Sequence, residues 1–188
     1  MREPSRTENE RNDGAMKKAW IIIDMQNDFV TGALGTPEAR AVLPRINARL
    51  ASVEPSDSVF YTLDTHGADY SATAEGRKLP IAHCIKGTWG HEPAEGLLLL
   101  HGTTVEKPTF GSVELAEMLR RAAAEKQIES AELMGVCTDI CVISNALLLK
   151  AYCPELPIAV NADCCAGVTP EKHLHALDTM RSCQIDIL

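Results

Sequence analysis

Aromatic residues make up only 4% of this 188-residue chain, so its core is expected to be built from aliphatic side chains. Long hydrophobic runs are missing as well. Ile21–Ile23 and Leu97–Leu100 fall far short of the ~20 residues that cross a bilayer, and no membrane association is expected. Positive charge is in deficit, with 18 Lys and Arg against 26 Asp and Glu and a net charge of −8. That balance opposes binding to nucleic acid or anionic lipid, which need concentrated positive charge, and leaves a small molecule as the expected partner. Paired cysteine spacing is absent too. Seven cysteines form an odd set with no CxxC, so free thiols in a reducing cytoplasm are expected, with Cys153, Cys164, Cys165 and Cys183 as small buried hydrophobes. The opening segment Met1–Lys18 is crowded with Arg, Glu, Asn and Asp. It has no stretch able to act as a secretory signal and reads as a disordered tail before a single domain over 19–188.

What is present is an alternation of short aliphatic runs with longer amphipathic stretches, the pattern of βαβ units around a buried parallel sheet. Strands are expected at Ala19–Ile23, Ser58–Leu63, Thr103–Glu106, Ala131–Val136, Pro157–Val160 and Gln184–Leu188. Thr36 followed by Pro37 marks a helix start running to Leu50, and Thr169 with Pro170 marks the last helix. Helical spacing runs from Val113 to Lys126 and, behind a Thr138 cap, from there to about Tyr152. Gly67–Glu95 has Gly and Pro but little periodicity, and so long a loop in a compact domain is usually functional. The fold class is therefore α/β.

Open parallel sheets bind ligands beyond the carboxyl ends of their strands. The residues there are Asp24, Asp64 and His66, Lys107 and Cys141. With Thr138 as cap, Cys141 lies at a helix start, where free amides and the positive dipole end favour a thiolate. Asp24 is then placed to take the thiol proton and Lys107 to stabilise charge, while the amides of Cys137 and Cys141 face a developing oxyanion. On spacing alone, Cys137 and Cys141 also read as two core residues and Asp24 as a cap. Asp64 and His66, two apart on an extended strand, point to one side and suit two ligands of one ion.

Three segments, Ile23-Asp24-Met25-Gln26-Asn27-Asp28-Phe29, Lys107-Pro108-Thr109-Phe110-Gly111-Ser112 and Gly135-Val136-Cys137-Thr138-Asp139-Ile140-Cys141-Val142, resemble in order and spacing the signatures of isochorismatase-like cysteine hydrolases. The resemblance covers Ala19–Leu188. It implies a three-layer α/β/α fold with a six-stranded, mostly parallel sheet, a triad of Asp24, Lys107 and Cys141, and a cis peptide between Val136 and Cys137. The segment Leu79–Thr88 is similar to the nicotinamidase stretch that adds a histidine to an Asp-x-His pair. By that likeness Asp64, His66 and His83 are the expected ligands of one divalent metal ion, zinc foremost, with iron or manganese also suited and Glu75 as a possible fourth ligand. Relatives assemble as oligomers, which makes a homo-oligomer the expectation.

The chain also departs from the nicotinamidase pattern. Leu79 stands where an aromatic residue is common, and Gly67–Ser71 carries Tyr70 instead of an additional histidine. Phe29 and Phe110 remain as expected pocket aromatics beside Leu79. Three functions therefore compete: an amidase acting on nicotinamide or a related carboxamide through a thioester, a carbamoyl or other small-amide hydrolase of the same family, and a non-catalytic metal or redox-sensing protein using Cys137, Cys141, Cys164 and Cys165.

Overall fold

The computed structural model describes residues 17–188. The expected tail lies outside the described residues as far as residue 16. Its boundary moves, because Lys18 is the first residue of β1 (Lys18–Ile23). Lys18 pairs with Ser130, so backbone pairing starts one residue before the hydrophobic run, and its amide donates to Asp57 Oδ1 at 2.9 Å and its ammonium to Glu132 Oε2 at 3.0 Å.

The other strands are β2 (Ser58–Asp64), β3 (Thr103–Lys107), β4 (Ser130–Val136), β5 (Ile158–Ala166) and β6 (Asp186–Ile187). Their order is β3-β2-β1-β4-β5-β6, and every neighbouring pair is parallel. Central β1 is flanked on both sides and buried along its length, which is why its sequence is continuously apolar rather than alternating. The helices are α1 (Asn27–Val30), α2 (Pro37–Leu50), α3 (Ala74–Lys78), α4 (Val113–Ala124), α5 (Ile143–Tyr152) and α6 (Pro170–Ser182). Neighbours α4, α5 and α6 form one layer, and α2 covers β4 and β5, giving the expected three-layer α/β/α arrangement. Chain order reverses between β1 and β4, so the crevice of a doubly wound sheet opens at their carboxyl ends. Gly135 sits at this point with φ of 126°. A Cβ there would collide with the Ile23 carbonyl, and only glycine lets β1 and β4 close so near the crevice.

Several elements differ from their expected extents for identifiable reasons. Strand β5 continues to Ala166 because its pairing with β4 shifts register between Leu133 and Gly135. Asn161–Asp163, too polar to read as strand, falls within that irregularity, and Asn161 turns its amide to Glu132 at 3.1 Å. The Gly67–Glu95 loop contains α3 and single 3₁₀ turns at Tyr70–Ala72 and Trp89–His91. Short turns of this kind leave no periodicity to find. Helix α5 begins only at Ile143, preceded by a π-helical turn, Thr138–Val142, whose N-cap is Cys137 and not Thr138. Cys153, Cys164 and Cys165 are buried, but Cys183 is exposed at the end of α6.

Candidate active site

Asp24 follows β1 directly, in the left-handed region at φ 49°. Asp is among the few residues that tolerate this conformation. Its carboxylate is fully buried: Thr62 Oγ1 donates to Oδ1 at 2.6 Å and Lys107 Nζ lies 2.7 Å from Oδ2. Lys107, the last residue of β3 and 1% exposed, also reaches Asp64 Oδ1 at 3.3 Å and Cys141 Sγ at 3.5 Å. One ammonium thus joins three strand ends. Burial alone would discharge it, but Asp24, the sulfur of Cys141 and Asp64 outweigh that effect and hold Lys107 protonated.

Cys141 is buried in the π-helical turn. Burial pushes its thiol well above the usual range, the Asp24 carboxylate pushes further, and Lys107 only partly opposes them. Desolvation and an adjacent carboxylate thus oppose the dipole-stabilised thiolate expected at a helix start. Burial likewise raises Asp24, with Lys107 opposing and Asp64 adding to the rise, which increases the affinity of Asp24 for a proton. The peptide between Val136 and Cys137 is cis. The Cys137 carbonyl accepts from Ile140 at 3.0 Å and from Val142 at 3.1 Å, passing over the amide of Cys141.

A second cluster adjoins the first through Asp64. Donor atoms of Asp64, His66 and His83 lie within 4.8 Å of one another, all in buried residues. His83 Nδ1 is 2.8 Å from the Ile81 carbonyl, an acceptor only, so Nδ1 donates there, and Nε2 lies 3.5 Å from Asp64 Oδ2. His66 Nε2 lies 2.9 Å from Asp64 Oδ2, yet it is buried without any hydrogen bond of acceptable geometry. A carboxylate with two converging imidazole nitrogens, one of them orphaned, fits a divalent ion. Glu75 Oε1 stands at the rim, 3.8 Å from His66 Nε2 and 3.7 Å from His83 Nε2.

These groups open onto a cavity of about 240 Å³ whose lining includes Phe29, Leu79, Phe110, Cys137, Cys141, Asp64, Glu75 and His83. Leu34, Thr36, Ile140 and Val168 complete it. A hollow of about 320 Å³ beneath Leu97–Leu100 has no cysteine or histidine in its wall.

Supporting residues escaped the sequence reading. Gln26, fully buried, donates through Nε2 to the carbonyls of Asp64 and His91, both at 2.9 Å, and accepts the Asp64 amide at 2.8 Å. Asn145 donates to the carbonyls of Cys141 at 2.8 Å and Phe110 at 3.0 Å. Tyr70 packs its ring on His66 and His83, with centroids 4.8 and 5.0 Å away, and donates to the Leu79 carbonyl at 2.9 Å. Gln26 lay inside a recognised segment, so a signal existed. Asn145 follows Cys141 by one helical turn and Tyr70 follows His66 by four residues, but the bond of the first to Phe110 and the contact of the second with His83 appear only in the fold. His91 is buried with Nε2 2.9 Å from Thr65 Oγ1.

The sequence matches the Isochorismatase domain family over residues 18–188. It is 32% identical over 177 residues to the isochorismatase family protein PncA of Bacillus subtilis, covering 86% of this chain and 93% of that one. Against the nicotinamidase/pyrazinamidase of Mycobacterium tuberculosis the identity is 27% over 184 residues, covering 91% and 98%. The crystal structure of Pyrococcus horikoshii pyrazinamidase in complex with zinc superposes with a TM-score of 0.79 at 27% identity, covering 92% of this chain and 98% of that chain. With the match running from the first strand to the last residue, the chain belongs to the isochorismatase family of hydrolases.

Proposed function

We propose that the chain is a cysteine-dependent amidohydrolase that converts nicotinamide and water to nicotinate and ammonia through a thioester on Cys141. One observation carries the reading: a buried ammonium, Lys107, lies 2.7 Å from Asp24 and 3.5 Å from the Cys141 sulfur, and that sulfur lines a small apolar cavity. The names of the relatives, nicotinamidase and pyrazinamidase, support the substrate class. Among the cavity-lining residues there is no Lys or Arg, which favours a neutral, flat carboxamide over a substrate bearing a carboxylate.

In this mechanism the Cys141 sulfur attacks the amide carbon while its proton passes to Asp24. The amides of Cys137 and Cys141 receive the oxygen that gains charge, a contribution of about 3–4 kcal/mol per donor in comparable sites. Asp24 then returns the proton to the departing nitrogen, the carbon–nitrogen bond breaks and ammonia leaves. Water attacks the thioester with its proton going to Asp24, and collapse releases the acid as the sulfur regains that proton. Lys107 keeps Asp24 oriented and offsets negative charge throughout. A divalent ion, zinc or else iron or manganese, would be held by Asp64, His66 and His83 with Glu75 beside them, and supplies a Lewis-acidic contact for a ring nitrogen.

Ammonia release from nicotinamide tests the proposal directly. Wild-type protein is expected to release it, and Cys141→Ala to lose at least about 10³-fold in kcat, because removing a nucleophile leaves only positioning and oxyanion contacts. Turnover by Cys141→Ala at the wild-type rate would overturn the mechanism.

A further inference from the structure

We infer that Asp28 is a positioning residue for the metal ion: its carboxylate fixes the backbone that follows His83 and so holds that imidazole in place beside Asp64 and His66. The inference rests on reading those three residues as ligands of a divalent ion, and it starts from the stretch of chain that carries the third of them.

Asp64 closes β2 and His66 follows two residues later, so the sheet itself places both. His83 has no such support. It lies in irregular chain between α3 and the 3₁₀ turn at Trp89–His91, where bonds from elsewhere in the fold must satisfy and fix the backbone. The next residue, Cys84, is fully buried and sits at φ 46°, in the left-handed region that a cysteine seldom adopts. Such a conformation persists where its surroundings over-determine it. Here the Cys84 amide donates to Asp28 Oδ2 at 2.8 Å, and the Cys84 carbonyl accepts the His66 amide at 3.0 Å. Ile85 then bridges to His66, whose carbonyl takes the Lys86 amide at 2.9 Å. With the chain turned in this way, the His66 and His83 rings stand 4.9 Å apart, edge to face.

Asp28 is suited to this task in three respects. Both of its oxygens accept, Oδ2 from Cys84 and Oδ1 from the Ala33 amide at 3.2 Å. An asparagine would turn a donor toward one of those two amides. Room for the carboxylate is left by glycine on two sides, since a Cβ at Gly90 would overlap Oδ2 and one at Gly32 would collide with Oδ1. Its neighbours in sequence hold the far end of the same loop: Gln26 donates to the His91 carbonyl at 2.9 Å, and Asn27 donates to Trp89 at 2.8 Å and accepts from Glu95 at 2.9 Å. Phe29, one residue on, packs its ring 5.6 Å from that of His83. Of these side chains, Asp28 is the one bonded to the backbone directly after the ligand.

Zinc affinity of metal-stripped protein, measured by chelator competition, tests the idea in wild type, Asp28→Ala, Asp28→Asn and Glu132→Gln, with thermal melts of the metal-free proteins alongside. Asp28→Ala is expected to bind zinc about 10- to 100-fold more weakly, the loss typical when a group supporting a ligand is removed. Asp28→Asn keeps one acceptor and falls between Asp28→Ala and wild type, and it gives the answer should the alanine variant fail to fold. Glu132→Gln loses stability at the other end of β4 and keeps wild-type zinc affinity, which separates a weakened fold from a displaced ligand. An Asp28 that serves only the fold predicts wild-type zinc affinity in both of its variants. That result overturns the inference, as does an equal loss of zinc in Glu132→Gln. Failure of the metal reading looks different: wild type then takes up no zinc, and the inference falls with it.

Discussion

Lys107 carries its charge where water does not reach, between two carboxylates and a sulfur. A buried ion with its partners removed is far costlier than an apolar replacement of the whole cluster. Lys107→Met is therefore expected to abolish ammonia release and to destabilise the fold by about 3–5 kcal/mol, measured by denaturant titration, because Asp24 and Asp64 are left to repel each other without a counter-ion. The neighbouring cluster makes a separate prediction. His66→Ala and His83→Ala each remove one of three converging donors; elemental analysis of purified protein is expected to show bound divalent metal lost from both, and undiminished metal in both would rule the site out. Asp24 and Lys107 were readable as candidates because each lies at the end of a strand, and Cys141 because it follows a helix-start signal at Thr138. Gln26 serves Asp64 and His91, and Asn145 serves Phe110, each far away in sequence, and sequence spacing does not show such pairings.

Among the elements, the helix starts were legible where local chemistry decides them. Thr36-Pro37 opens α2 as expected, with the Thr36 hydroxyl accepting from Ala39. Thr36→Ala is expected to cost about 1 kcal/mol of stability, read as a shift in the denaturant midpoint. Thr138 carries the same kind of signal, but the turn begins one residue earlier with Cys137 as N-cap, and the Thr138 hydroxyl meets His173 of α6 instead. Propensity is a local quantity, and one buried tertiary hydrogen bond is enough to override it. The same reasoning explains β5, where Asn161 looks like a strand breaker until Glu132 is placed opposite it.

Across the whole molecule, charge is organised at both ends of the sheet. Far from the site, Glu132 in β4 is 1% exposed and receives Arg49 through two bonds of 2.8 Å, Lys18 at 3.0 Å and Asn161 at 3.1 Å, while Lys18 and Arg49 both pack on the Trp20 ring. Burial alone would raise its carboxyl, but Arg49, Asn161 and Lys18 outweigh burial and bring it down to about 2 from the ordinary 4.5. A carboxyl lowered in the folded state contributes stability that is complete above its unfolded value and is lost as pH falls through the folded one. Stability is thus expected to drop between about pH 4.5 and pH 2, by on the order of 3 kcal/mol from this group. Denaturant titrations across that range should show Glu132→Gln less stable than wild type at neutral pH and less sensitive to acid.

Periodicity determined the α/β class and the strand sequence, since buried parallel strands are apolar almost throughout, and strand ends offered Asp24 and Lys107 at the carboxyl edge where such a sheet binds ligands; with the resemblance of three segments, they made a candidate set with Cys141. Tertiary structure decided what surrounds those groups and what holds them. Burial and Asp24 across the crevice push the Cys141 thiol upward, His173 on α6 meets the Thr138 hydroxyl, and Gln26, just past β1, fixes Asp64 at the end of β2. Desolvation and hydrogen bonds across the chain exist only once the layers have closed, so no stretch of sequence contains them.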